Sequence, residues 1–163
     1  GSEFGQFIEW DCHKQLDWFL LDYERHSQMR QYVKALNVFY KGNPAFYQIE
    51  DDWNGFSWLN ADNANQSSLG FLRRGRTNCK PCVCAFNFTP VPVERFVVGL
   101  PSPGKLQEVF TSDDVIFGGA GRYRTEAIVA LPEEFAGHPF RAIIDLPPLT
   151  AVYFDFYEEE PIE

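Results

Sequence analysis

The chain has 163 residues, 45% of them hydrophobic and 17% aromatic, which suits one globular core and excludes a disordered chain. Its net charge of −9 argues against a nucleic-acid partner or an anionic membrane surface, both of which call for a clustered basic face. No apolar run approaches the ~20 residues of a membrane span, and the opening residues do not read as a signal peptide.

The first twenty-odd residues, GSEFGQFIEWDCHKQLDWFLLDY, place two acids directly before two indoles: Glu9-Trp10 and Asp17-Trp18. A carboxylate beside an indole suits a sugar, because the ring stacks on the apolar sugar face and the acid accepts hydroxyl protons. The same residues also fit a second reading, in which both tryptophans are buried and both acids cap helix starts. Local chemistry leaves the two open. Gly1 to Phe4 can further be read as a cloning scar or as native sequence.

Residues 25–41, RHSQMRQYVKALNVFYK, carry the strong helical pattern of the chain. Met29, Tyr32, Val33, Leu36, Phe39 and Tyr40 recur at spacings of three and four and form one broad apolar stripe. Ser27 is the expected N-cap, and Gly42 followed by Asn43-Pro44 is the expected stop. The stripe has no sheet of its own in the first fifty residues. It must pack on the rest of the chain, on another subunit, or on protein outside this sequence, since a lone helix of this length is marginal in water.

From Phe56 the pattern changes to eight short β-rich runs punctuated by turn residues: FSWLNA, SLGFL, CVCAFNF, ERFVVGL, KLQEVF, EAIVAL, FRAIID and TAVYFDF. Such a series predicts an antiparallel sandwich or barrel. In the last run Val152, Phe154 and Phe156 face one side, and Ala151, Tyr153, Asp155 and Tyr157 the other. The fold class is therefore mainly β: an antiparallel sandwich of about eight strands over 51–163, preceded by a helical piece over 1–50.

Two local motifs invite chemistry. Cys79, Cys82 and Cys84 in CKPCVC suggest metal or redox use, but His13, His26 and His138 lack ligand spacing. Cys82 and Cys84 read instead as inward positions of a strand, in phase with Phe86 and Phe88, and the thiols as reduced and cytosolic. No metal or cofactor is expected. The loop TSDDVIFGGAGRYRT has phosphate-loop glycines but no following helix or GK[ST], so it reads as a bent connection between strands. The closing EEEPIE reads as a frayed, solvated tail.

Along the whole chain, the stretches GSEFGQFIEWD, LDWFLLDYERHSQM, YVKALNVFYKGNPAFY, GFSWLNADN, AFNFTPVPVERFVVGLP, GKLQEVFTSDD, FGGAG and LPPLTAVYF resemble, in the same order, the end of bacterial glycogen (1,4-α-glucan) branching enzymes. The resemblance runs to about Tyr157, and it takes Gly1, Glu3 and Phe4 as native. It implies that residues 1–50 are the end of a (β/α)8 catalytic domain, comprising the loop after strand eight and the last helix. Residues 51–163 are then the C-terminal all-β domain. It implies a cytoplasmic parent enzyme that acts on α-glucan by a retaining mechanism, with its catalytic carboxylates upstream of Gly1 and none in this chain. Loops at the C-terminal ends of barrel strands build the active site, so Gln6, Glu9, Trp10, Asp17 and Trp18 are expected on the rim of the glucan cleft. The remainder of the barrel is the expected protein partner. An alternative gives the sandwich a glucan surface of its own at Trp53, Phe56 and Trp58.

Overall fold

The computed structural model describes residues 1–122 and 126–159. A 19-residue helix, α1 (Glu24–Gly42), precedes eight strands. They are β1 (Phe56–Asn60), β2 (Ser68–Arg73), β3 (Cys82–Asn87), β4 (Val93–Leu100), β5 (Gly104–Thr111), β6 (Ile128–Val129), β7 (Phe140–Leu146) and β8 (Thr150–Glu158). All eight fall on the predicted runs. They form an antiparallel six-stranded sheet, ordered β1-β2-β3-β8-β5-β6, and a two-stranded sheet, β4-β7.

Strand alternation gives the larger sheet two different apolar faces. On one, Leu59, Leu72, Val83, Leu106, Phe154 and Phe156 meet Phe96, Val98, Leu100, Ile144 and Leu146 of the smaller sheet, all buried. On the other, Cys82, Cys84 and Tyr153 form a second cluster with Ala45, joined by Leu36, Phe39, Phe46, Phe71, Phe86 and Phe110. The expected alternation of β8 is therefore present, with both of its faces covered along most of its length. Cys82 and Cys84 are buried as expected and share the Phe86 face. That face looks toward α1 rather than into the space between the sheets.

The stripe of α1 finds its partner on this second face. Phe39 stacks on Phe110 with ring centroids 5.0 Å apart and meets Tyr153 at 5.3 Å, while Tyr32 contacts Phe110 and Phe117. The helix starts a turn earlier than its sequence suggests. Ser27 N–H donates to the Tyr23 carbonyl at 3.0 Å, so Ser27 lies inside the first turn and the N-cap is Tyr23, with no side-chain cap bond. Glu24 in that turn suits the positive end of the helix dipole. The helix ends at Gly42, where the Asn43 side chain accepts from Ala45 N–H and starts a short 3₁₀ turn through Pro44.

Two departures from the predicted strands have local causes. The run EAIVAL yields only a two-residue strand because the chain changes sheets there. Ile128 and Val129 pair with β5, and Leu131 already bridges to Arg141 of β7. At the chain's close, Glu158 is not frayed: it ends β8, pairs with Gly104, and its carboxylate meets Arg74 and the Ser102 hydroxyl. The remainder of that predicted tail, beyond Glu159, lies outside the described residues.

The loop after β5 is the expected bent connection as far as Arg122; its last three residues, 123–125, lie outside the described part. Asp113, only 8% exposed, organises it by accepting from Ala120 N–H and Arg122 N–H through its two carboxylate oxygens. Gly119 is required here, since a Cβ would sit 2.2 Å from the Asp113 backbone. The glycines thus serve close packing, and Arg25 of α1 ties the loop to the helix through the Gly118 carbonyl.

The stretch NFTPVP is also structural. Asn87, 1% exposed, donates to the Val91 and Pro147 carbonyls and accepts from the amide and hydroxyl of Thr89. One side chain therefore joins the end of β3, the turn into β4 and the approach to β8. Replacing Asn87 with Ala orphans buried groups at about 1–3 kcal/mol each. The expected result in urea unfolding is a loss of about 3 kcal/mol with unchanged m-value; a loss below about 0.5 kcal/mol, the level of an ordinary surface substitution, would refute this role.

Candidate functional site

The five residues expected on a cleft rim lie in the segment before α1, held by contacts across the sequence. A 3₁₀ turn at Ser2–Phe4 ends in Gly5 with φ +70°, which turns the chain so that Phe4 points inward, fully buried. Trp18 packs against Phe4 with centroids 5.3 Å apart. His26 of α1 hydrogen-bonds the Phe4 carbonyl at 2.7 Å through Nδ1 and takes the edge of Phe7 at 5.1 Å.

Gln6 clamps the intervening loop. Its amide nitrogen donates to the Ile8 carbonyl, and its oxygen accepts from Asp17 N–H at 2.9 Å, closing an eleven-residue excursion. Both ends of its carboxamide are engaged, so Gln6 shapes this loop. Asp17 joins this bond by its backbone alone. Asp17 is the N-cap of the short 3₁₀ segment Trp18–Asp22 but makes no side-chain cap bond.

Trp10 is 72% exposed and Trp18 is 52% exposed. In this chain, therefore, neither indole is buried, and Asp17 makes no side-chain cap bond. The structure joins Gln6 to Asp17 and sets Trp18 above Phe4. Glu9 and Trp10 project from the exposed part of the loop, with no hydrogen bond to that pair among the described residues. Phe7, Ile8, Phe19 and Tyr23 are also exposed on this segment, which gives it a broad apolar surface. Sequence reasoning missed His26 and Phe4 as supports. Their contact spans 22 residues, and no local pattern signals it.

The surroundings of CKPCVC work against metal binding. Burial pushes the Cys84 thiol well above its usual range, and burial likewise raises Cys79. The thiols of Cys82 and Cys84 are spent as weak donors to the carbonyls of Val83 and Cys82. A metal ligand must be a thiolate, and this environment opposes that form.

Near the start of the sandwich, a chain of rings crosses the part of the second sheet face that α1 leaves uncovered. Trp58, Phe56, Phe71, Phe86 and Phe88 follow one another at 4.9, 5.3, 5.6 and 6.0 Å. Trp58 and Phe88 are more than half exposed, and neighbouring Trp53 is 85% exposed. A cleft of about 430 Å³ opens between these rings and α1, lined by Leu36, Phe39, Tyr40, Phe46, Phe56 and Phe71 among others. Phe56 and Phe71 each stand perpendicular to the Trp58 ring.

Comparison with known proteins matches residues 58–156 to the alpha amylase C-terminal all-beta domain. Proteins named 1,4-alpha-glucan branching enzyme GlgB from Francisella tularensis subsp. novicida and Francisella philomiragia are 40% and 39% identical over 153 residues. A protein of the same name from Francisella tularensis subsp. holarctica is likewise 39% identical. Each match takes in 93% of this chain and 24% of the relative, so the chain spans about a quarter of their length. On the domain match and the eight-stranded sandwich that bears it out, this chain belongs to the alpha amylase C-terminal all-beta domain family.

Proposed function

We propose that this chain is the C-terminal portion of a cytoplasmic glycogen branching enzyme, and that it supports the catalytic barrel without catalysing anything itself. One observation carries the reading. The similarity to the branching enzymes takes in 153 of 163 residues, and so reaches well ahead of the domain that begins near Trp58. A shared domain type alone would not extend into the loop and helix that precede it. On this reading residues 1–50 are the loop after barrel strand eight and the last barrel helix, and residues 51–163 are the C-terminal domain. Four free thiols are in keeping with a reducing compartment.

The parent reaction cleaves an α-1,4 link in glucan and re-forms the chain through an α-1,6 link with retention. Such chemistry needs a nucleophilic carboxylate and an acid/base carboxyl about 5 Å apart across the reacting bond. We assign these to the part of the parent outside this chain. What this chain contributes is position: Phe39, Phe110 and Tyr153 anchor the last helix to the sandwich, and the Gln6 clamp holds the loop that carries Glu9, Trp10, Asp17 and Trp18 at the rim. Trp10 and Trp18 are exposed and free to stack on glucose rings, with Glu9 beside them.

The exposed rings at Trp58 and Phe88 fit protein better than sugar. Trp58 meets Phe56 and Phe71 edge to face, so its indole does not continue the plane of the nearly parallel Phe71, Phe86 and Phe88 rings into a longer platform for successive pyranose rings. We therefore assign that surface to the junction with the remainder of the barrel. Amylose–iodine absorbance tests the proposal: the 163-residue chain leaves it unchanged, whereas the complete parent polypeptide lowers it. Branching by the 163-residue chain, or its failure by the complete parent, would overturn it.

A further inference from the structure

Asp11, Cys12 and His13 sit on one exposed turn, and their carboxylate oxygen, thiol sulfur and imidazole nitrogen lie within 4.8 Å of one another. We infer that this turn is a surface site for a borderline divalent cation, of which Zn²⁺ is the type. The inference does not depend on the branching-enzyme reading.

The donor set selects the ion. A sulfur, a nitrogen and an oxygen donor together suit Zn²⁺ or Co²⁺, whereas Mg²⁺ and Ca²⁺ require mostly oxygen. Zinc takes these ligands at about 2.0–2.3 Å in a tetrahedron, which sets donor atoms about 3.5 Å apart. The three residues are consecutive and exposed or half-buried, so their side chains have room to rotate from within 4.8 Å toward that spacing. Three protein ligands leave the fourth position to water.

The backbone already holds the turn. Lys14 N–H donates to the Asp11 carbonyl at 3.1 Å, and His13 N–H donates to Asp11 Oδ1 at 2.9 Å. The other carboxylate oxygen, Oδ2, faces the Lys14 ammonium at 3.5 Å. That pair is solvent-exposed and worth little, so a cation that binds two further ligands displaces it. Coordination releases the Cys12 thiol proton to solvent. This turn differs from CKPCVC in the property that matters: Cys12 is exposed, whereas Cys82 and Cys84 are buried in apolar surroundings.

Co²⁺ titration of the reduced 163-residue chain tests the site without any activity assay. A near-ultraviolet sulfur-to-cobalt charge-transfer band is expected, lost on adding Zn²⁺. Cys12→Ser should abolish the band. His13→Ala and Asp11→Asn should weaken Co²⁺ binding by about tenfold or more, within the range by which metal-site substitutions lower affinity. Cys79→Ser should leave the band unchanged. Absence of the band in the unaltered chain, its survival in Cys12→Ser, or unchanged affinity in His13→Ala would overturn the proposal. The substituted residues lie on an exposed turn, and circular dichroism matching the unaltered chain establishes that each variant is folded.

Discussion

The second face of the six-stranded sheet is the feature on which the arrangement of this molecule rests. In most half-solvated sheets one face meets the core and the other meets water. Here β3 and β8 are apolar on both sides: Val83, Ala85, Val152 and Phe154 fill the sandwich, and Cys82, Cys84, Phe86 and Tyr153 receive the helix. A third layer follows from that. The half-buried Phe110 of β5 and the buried Tyr153 of β8 give Phe39 its partners, and they give α1 a fixed site that the first fifty residues lack.

The consequence reaches the segment before the helix. A helix of this length is marginal alone, and no residue of α1 is buried outright. Its stability therefore comes from half-buried contacts summed along one stripe, each ring adding a share of the roughly 1.5–3 kcal/mol that full burial brings. Once α1 is fixed, His26 holds Phe4, Phe4 supports Trp18, and Gln6 closes the loop between them. An exposed loop bearing Trp10 and Trp18 is thus referred, contact by contact, to the sheet below. Among the described residues nothing covers Trp58 or Phe88 as α1 covers Tyr153, so one end of the face anchors the helix and the other stays exposed.

Much of this was legible in the sequence, for reasons that differ by element. The eight strand runs are delimited by Pro, Gly and polar turns, and period-two alternation in TAVYFDF correctly assigned both sides of β8. The helix stripe was equally plain, because Leu36 and Phe39 fall at helical spacing. Other features depend on contacts that no window contains. The Gln6–Asp17 clamp spans eleven residues and the Phe4–His26 bond twenty-two. The partition into six and two strands depends on where the chain crosses between sheets, and EAIVAL spends most of its length doing so. Ser27 misled because cap chemistry is only a preference, and Tyr23 already supplied the first carbonyl. The orientation of the buried cysteines needed the position of α1, which their alternation could not supply. In the segment before α1, residue type left open whether the indoles were exposed and gave no sign that both ends of the Gln6 carboxamide bond within the loop.

Hydrogen exchange of the 163-residue chain tests the anchoring most directly. Amides of α1 are expected to exchange far more slowly than in the isolated 24–42 peptide. Phe39→Ala should remove most of that protection while leaving β4 and β7 as they were. Exchange of α1 in the intact chain at the rate of the free peptide, or protection indifferent to Phe39→Ala, would contradict the claim that the sheet's aromatic face holds the helix.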